Sequence, residues 1–128
     1  MKKLLLLMSL SLVLFSFRYQ SNIDGVVNAL KKADAEQFSS YFDNLLDLKL
    51  PEKEEIKNIS KTQASITLKN FFDQNNITGF ELNSSVTREL NGAQYIAGKL
   101  QSANRTYNLT VMLKNRGDKL SIITVRIN

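Results

Sequence analysis

In the sequence RTYNLTVMLKN, residues Arg105–Asn115, the side chains alternate between apolar and polar. Successive side chains of a β-strand point to opposite faces of a sheet, so a two-residue period indicates a strand with one buried face. The stretch therefore predicts a strand whose apolar face packs on other elements. The apolar set is Tyr107, Leu109, Val111 and Leu113, and the polar set is Thr106, Asn108, Thr110 and Lys114.

The neighbouring segments predict that this strand belongs to a sheet of four consecutive strands between Phe80 and Asn128. Asn91-Gly92 is typical of a two-residue hairpin turn, because both residues tolerate positive φ. Short polar turns are also predicted at Ala103-Asn104 and at Arg116-Gly117-Asp118. The pattern indicates a curved antiparallel sheet. Its predicted strands are Phe80–Leu90, Ala93–Ser102, Arg105–Asn115 and Leu120–Ile127.

The last predicted strand differs from its neighbours because it is apolar on both faces. Leu120 and Ile122 share one face, whereas Ile123, Val125 and Ile127 share the other. A strand of this kind is expected where both sides of a sheet are covered. Helices of the same chain can cover one side, and a homodimer through the outer sheet face would cover the other. The alternative is a sheet curled enough to cover its own end.

Three helices are predicted upstream of the sheet. The first begins near Ser21-Asn22 and buries a stripe of side chains at helical spacing. Asp34 can cap a second, short helix. Ser60-Lys61-Thr62-Gln63 is a capping box that predicts the start of a third helix, which ends at Gln74-Asn75-Asn76. The buried side chains are expected to be Ile23, Val26, Val27 and Leu30, then Phe38, Tyr41 and Phe42, then some of Ala64, Ile66 (or Thr67), Leu68, Phe71 and Phe72.

Between the second and third helices, Leu46–Leu50 alternates and predicts a short extra strand that Pro51 ends. Pro51–Lys57 is highly charged and predicts a solvated loop or helical turn. The fold class that follows is α+β, with three N-terminal helices packed on a curved four-stranded antiparallel sheet that has a short extra strand. One domain is predicted, over residues 21–128.

Residues 1–18 have the pattern of a signal peptide, with Lys2 and Lys3 followed by the apolar run Leu4–Phe17. Ser16 is the best small residue for the end of the leader, although no A-x-A-like triplet is present. An uncleaved membrane anchor and a buried N-terminal helix are the alternatives. We expect a periplasmic or extracellular protein. The chain has no Cys, so this leader cannot carry the lipid-modified Cys of a lipoprotein.

The composition excludes several classes of chemistry. The 128 residues contain neither Cys nor His, which rules out disulfides, thiol nucleophiles, thiolate or imidazole metal ligands and Ser–His triads. The net charge is +5, but without Lys2, Lys3 and Arg18 the 17 basic side chains become 14 against 12 acidic ones. This small excess is a poor basis for nucleic-acid binding. No cofactor and no metal are expected.

The residue types that remain offer a few candidate site residues. Arg126 and Arg88 share strand parity with apolar residues, and an arginine at the mouth of a curved sheet can hold a carboxylate or phosphate bidentately. Tyr95 and Asp47 are further binding candidates. The alternative for Arg126 and Arg88 is that they extend to solvent or pair with an acid, and for Asp47 it is exposure on the polar side of its strand.

The chain shares a residue pattern with a known family at Ala29-Leu30, Ala33-Asp34-Ala35, Tyr41-Phe42-Asp43, Leu46–Leu50, Ala64, Phe71-Phe72, Asn75, Phe80, Tyr95–Leu100 and Leu120–Ile127. With these residues it resembles a bacterial secreted family, catalogued only as a domain of unknown function, that has the nuclear transport factor 2-like or cystatin-like cone fold. The resemblance implies the fold and a secreted location, and it brings no catalytic residues. Other members of this fold include isomerases and dehydratases that abstract a proton with a pocket carboxylate.

These observations favour an exported, non-catalytic protein that binds a small ligand or a protein partner through the cone pocket or the outer sheet face. The alternative is a small lyase or isomerase in which Asp43 or Asp47 is the base and a tyrosine assists, with Glu81 a further carboxylate. A purely structural dimerisation module is the third hypothesis.

Two structural observations would distinguish these hypotheses. A buried carboxylate beside a tyrosine would favour the enzyme. A pocket filled by Phe42, Phe71, Phe72 and Tyr95 would exclude both the enzyme and a small-ligand pocket.

Overall fold

The computed structural model describes residues 21–88 and 93–128, which form three helices and six strands. The hairpin predicted at Asn91-Gly92 lies outside the described residues, as does the predicted signal peptide. Within the described residues, no helix is long and apolar enough to cross a membrane. The elements are α1 (Ser21–Lys31), α2 (Ala35–Ser39), β1 (Phe42–Lys49), β2 (Ile56–Ser60), α3 (Lys61–Gln74), β3 (Ile77–Arg88), β4 (Ala93–Ser102), β5 (Thr106–Arg116) and β6 (Lys119–Ile127).

The strands form one sheet in the order β2-β1-β6-β5-β4-β3. The pair β1 and β6 is parallel, and the other neighbouring pairs are antiparallel. The predicted α+β class is confirmed, but the predicted count of four strands plus a short one is wrong. The missed strand β2 starts at Ile56, inside the segment predicted as a loop. Only Ile59 of this strand is buried, so its sequence has no alternation of apolar and polar residues from which a strand could be predicted.

Both helix caps predicted from sequence are confirmed. Asp34 accepts a hydrogen bond from the backbone N–H of Gln37 at 3.0 Å and begins α2. The Ser60 hydroxyl accepts one from the backbone N–H of Gln63 at 3.2 Å and begins α3. These bonds satisfy amide groups that have no partner within the helix. In contrast, Phe42 belongs to β1 rather than to α2, although it still packs against Phe38 at a ring-centroid distance of 5.5 Å.

The helices cover one face of the sheet, here called the inner face, and the core lies between them. Alternation in β5 is confirmed, because Leu109 is 2% exposed and Val111 and Leu113 are fully buried. The concave interior is filled by side chains, including Phe42, Phe71 and Phe72. Apolar burial of this extent is the main stabilising contribution to a domain of this size. Other core residues are Val26, Leu30, Leu46, Leu48, Leu68, Phe80, Ile96 and Leu100.

The apolar residues on both sides of β6 are explained by a β-bulge. Leu113 lies opposite Ile122, but the preceding residue Met112 lies opposite Thr124, so Ile123 is an extra residue in β6. The bulge changes the parity of the strand, and Ile122 and Val125 both face the core, each fully buried. The prediction that Ile122 and Val125 lie on opposite faces is therefore wrong. Parity counted from sequence assumed an uninterrupted strand.

Candidate functional site

An open cleft of about 400 Å³ lies at the mouth of the cone, where α3, the turn after β1 and the start of β5 meet. We call it the mouth cleft. Its volume falls within the range of small-molecule sites, roughly 300–1,000 Å³. It is lined by Leu50, Pro51, Glu52, Lys53, Thr67, Asn70, Phe71, Gln74, Asn75, Arg105 and Tyr107.

The floor of the mouth cleft is aromatic and held in place. Tyr107, which is 5% exposed, meets Phe71 edge to face at a ring-centroid distance of 5.4 Å. The Tyr107 hydroxyl donates to Asn75 Oδ1 at 3.1 Å, and Asn75 Nδ2 donates to the Phe71 carbonyl oxygen at 2.9 Å. Because both ends of the Asn75 amide are engaged, the tyrosine ring has a defined orientation. These contacts fix the two aromatic side chains at the floor of the cleft.

Arg105 stands above this floor. Its Cζ atom lies 4.4 Å from the centroid of the Tyr107 ring, within the distance of a cation–π interaction. Ser102 fixes the backbone of Arg105 from across the hairpin turn: its N–H donates to the Arg105 carbonyl at 3.0 Å, and its hydroxyl accepts the Arg105 N–H at 3.3 Å. The Ser102 hydroxyl also donates to that carbonyl at 3.0 Å. The turn at Ala103-Asn104 thus positions an arginine at the cleft.

The opposite rim is the tight turn Leu50–Lys53. The Lys53 N–H donates to the Leu50 carbonyl at 3.3 Å, and Pro51 and Glu52 occupy the two central positions. Glu52 has a φ of 62°, in the left-handed region that an L-residue other than Asn or Asp rarely adopts. The turn has the form of a type II turn, which prefers glycine at that position. Exposed Glu52 and Lys53 thus place one acidic and one basic side chain at this rim.

The structure places the sequence-predicted Arg126 on the outer face of the sheet, away from the mouth cleft. Its Nε donates to Glu55 Oε1 at 3.1 Å, and its side chain is 52% exposed. The prediction that Arg126 shares a face with Leu120 and Ile122 is wrong, because the bulge at Ile123 lies between them. Arg126 is therefore an exposed, paired arginine. Arg88 ends β3, and its side chain lies outside the described residues.

The candidate carboxylates Asp47 and Asp43 also lie on the outer face, and both have structural partners. Asp47 accepts a hydrogen bond from the backbone N–H of Asn58 at 3.0 Å. Asn58 has a φ of 56° at the irregularity where β2 pairs with β1, so Asp47 stabilises that distortion. Asp43 pairs with Arg116 at 3.2 Å. Each carboxylate thus supports the sheet.

Tyr95 is half-buried on the outer face, opposite Met112 of β5, and does not fill the cone. The remaining candidate base, Glu81, is exposed. A pocket filled by Phe42, Phe71, Phe72 and Tyr95 was the observation that would exclude an interior site, and the first three of these residues do occupy the interior. A ligand site in the interior of the cone is therefore not supported, and the mouth cleft lies outside that filled region. Within residues 21–88 and 93–128, no cluster of three acidic residues could hold a metal ion.

A second depression, here called the outer groove, lies on the outer face across β1, β6 and β5 and has a volume of about 950 Å³. Leu45 is its most exposed apolar side chain, at 54%. Ion-paired and polar groups surround the apolar ones, which is typical of a solvated sheet surface. The outer groove is lined by Asp43, Asn44, Leu45, Leu46, Asp47, Asn58, Met112, Lys114, Arg116, Ile123, Thr124 and Arg126.

Arg105 and Asn75 were not predicted as site residues, and Tyr107 was predicted as part of the buried face of its strand. One signal was present: Arg105 and Tyr107 are two residues apart at the start of a strand, so they share a face. The contribution of α3 and of the Leu50–Lys53 turn had no local signal, because those segments meet β5 only in the folded chain.

Comparison with known proteins agrees with the fold. A crystal structure of a DUF4783 family protein from Bacteroides ovatus is 24% identical, with a TM-score of 0.73, and covers 80% of this chain and 90% of that one. The DUF4783 family protein from Bacteroides fragilis is 27% identical, with a TM-score of 0.71 and coverage of 80% and 93%. An NTF2-like protein of unknown function from Shewanella oneidensis is 13% identical, with a TM-score of 0.58 and coverage of 82% and 91%.

No curated protein of established function matches the chain. The family model described as "Domain of unknown function (DUF4783)" matches residues 23–128, which is nearly the whole predicted domain. The predicted resemblance and the nuclear transport factor 2-like cone are thereby confirmed. The chain belongs to the DUF4783 family.

Proposed function

We propose that this protein is exported and binds a small polar molecule, without catalysis, in the mouth cleft. The observation that carries the proposal is the rigid floor of the cleft, where Tyr107 is held by Asn75 and Phe71 under an open volume of about 400 Å³. The lining is mainly polar, which suits a polar ligand, and a few polar groups in fixed positions orient the ligand in a small-molecule site. The amides of Asn70 and Gln74 are exposed on the wall formed by α3.

The placement of the ionisable groups supports binding over catalysis. A general base must reach its substrate and have a pKa adapted to its task. Asp43 and Asp47 are engaged on the opposite face of the sheet, and Glu52 at the cleft rim is exposed to solvent. The Tyr107 hydroxyl bonds an amide rather than a carboxylate. The alternative of a lyase or isomerase with Asp43 or Asp47 as base therefore has no support in this geometry.

Export is proposed from residues 1–18, whose basic start and apolar run have the signal-peptide pattern. The test of that part is the N-terminal sequence of the protein recovered from its source compartment. A chain that begins near Phe17–Ser21 would support cleavage, whereas an intact Met1 in the membrane fraction would support an uncleaved anchor.

Native mass spectrometry of the purified mature protein tests the binding site. Thr67→Trp places a large ring in the cleft, and Thr62→Trp places the same ring on an exposed position of α3 outside it. We expect the wild type and Thr62→Trp to retain a bound small molecule and Thr67→Trp to lose it. Retention of the same molecule by Thr67→Trp would contradict the mouth cleft as its site.

A homodimer through the outer sheet face stays a prediction. The outer groove offers exposed Leu45 together with half-buried Met112 and Ile123 for a second copy to cover. Sedimentation of the mature wild type and of Leu45→Ser decides the matter. A dimer that Leu45→Ser dissociates would support the prediction, and a monomer at tens of micromolar would contradict it.

A further inference from the structure

We propose that the molecule bound in the mouth cleft carries an anionic group, a carboxylate or a phosphate, which Arg105 binds. This inference rests on the proposed function and adds the chemical class of the ligand. Its first support is the difference in ion pairing between Arg105 and the other two arginines with described side chains. Arg116 and Arg126 each pair with an acid, whereas the described part of the chain places no carboxylate in ion-pair contact with Arg105.

The second support is the way Arg105 is held. Ser102 fixes its backbone, and the Tyr107 ring lies under its guanidinium group at 4.4 Å. The N–H donors of a guanidinium lie in the plane of the group, so packing over a ring leaves them free for a ligand. An arginine held in this way loses less conformational entropy on binding than a free surface arginine does.

The third support is the balance of charge around the cleft. Lys53 adds a second cation at the rim, and Glu52 is the single acid among the lining residues. Guanidinium and ammonium groups favour carboxylate or phosphate oxygens through charge-assisted hydrogen bonds. The neutral amides of Asn70 and Gln74 suit hydroxyl groups next to such an anion. The geometry thus points to a small hydroxylated acid.

Isothermal titration calorimetry with three probes of similar size tests this inference. Glucuronate carries a carboxylate, glucose 6-phosphate carries a phosphate, and glucose carries no charge. We expect at least one of the two anions to bind the wild type and glucose to bind about tenfold more weakly or not at all. The anion that binds more tightly identifies the source of the negative charge.

Variants then assign the effect to Arg105. Arg105→Gln should weaken binding of the preferred anion by about tenfold or more, because a charge-assisted bidentate contact is lost. Lys99→Gln removes the same charge from an exposed position on the outer face of β4 and should leave the affinity unchanged. Circular dichroism of both variants verifies the fold, since both side chains are exposed.

Three results would overturn the inference: glucose that binds as tightly as the anions, an Arg105→Gln variant that binds the anion normally, and failure of both anions to bind at millimolar concentration. None of these results contradicts the proposed function itself. That proposal depends on the retained molecule and on Thr67→Trp, so the two can fail separately.

Discussion

The hydroxyl of Tyr107 donates to Asn75 Oδ1 at 3.1 Å and so joins β5 to the end of α3, 32 residues earlier. We expect Tyr107→Phe to lower the free energy of unfolding by about 1 kcal/mol, because a partly buried acceptor loses its donor. Urea unfolding measures the loss. A double-mutant cycle with Asn75→Ala separates this bond from other effects, and a coupling energy near zero would contradict the contact.

Asp47 is expected to stabilise the fold through its hydrogen bond to the backbone of β2. Asp47→Ala removes the acceptor for the Asn58 N–H and is expected to destabilise the protein by about 1.5 kcal/mol. Asp47→Asn keeps an oxygen in the same place and should cost less than about 0.5 kcal/mol. Thermal unfolding of the two variants distinguishes them. Equal losses of stability in both variants would show that the charge of Asp47, rather than its hydrogen bond to the Asn58 N–H, stabilises the protein.

Gly98 is required by close packing. A Cβ atom at this position would overlap the Glu81 carbonyl oxygen and the ring of Phe80, neither of which can move freely. Gly98→Ala is therefore expected to destabilise the fold by about 1–3 kcal/mol. Gly79→Ala is the matched control, because its nearest neighbour is the flexible end of Gln101 at 3.2 Å. A loss as large for Gly79→Ala would contradict this explanation.

Because of the bulge in β6, Ile123 and Val125 differ in burial even though they are two residues apart. Val125 is fully buried, whereas Ile123 is half-buried on the outer side. Val125→Thr places a hydroxyl in the core and should lower the free energy of unfolding by about 1–3 kcal/mol. Ile123→Thr should change it by about 0.5 kcal/mol in the monomer. Chemical unfolding at low protein concentration compares them, and similar losses at the two positions would argue against the bulge.

The parts of the fold that sequence predicted correctly depend on neighbouring residues. The alternation of Tyr107 to Leu113 and the caps at Asp34 and Ser60 are set by contacts within a few positions, and all are present in the structure. The bulge at Ile123 depends on how β6 pairs with β5 and β1. No count of parity along one strand contains that information.

The candidate site was predicted less well for a related reason. Arg126 was favoured by its apparent parity and Asp47 by its charge, yet both lie on the outer face. The mouth cleft combines the Leu50–Lys53 turn, one side of α3 and the first residues of β5. Leu50 and Arg105 are 55 residues apart, so only the folded chain brings the turn and α3 next to Arg105 and Tyr107.

Glu52 links stability to binding at the rim of the cleft. Its left-handed φ of 62° disfavours a side chain by about 1–2 kcal/mol, although glycine loses more chain entropy on folding. Glu52→Gly is therefore expected to leave stability unchanged or to raise it by up to about 1 kcal/mol. It also removes the one acid that lines the cleft together with Arg105 and Lys53, so binding of the preferred anion should strengthen.

Glu54→Gly is the matched control for this prediction. It removes the same charge two residues away, at an exposed position outside the cleft lining and without a left-handed φ to relieve. We expect it to lower stability by about 0.5–1 kcal/mol and to change anion affinity less than Glu52→Gly does. Thermal unfolding and calorimetry with the preferred anion measure both effects. A stabilised Glu52→Gly variant with weaker anion binding would mean that Glu52 contacts the ligand itself, because only a lost contact outweighs the removal of a like charge.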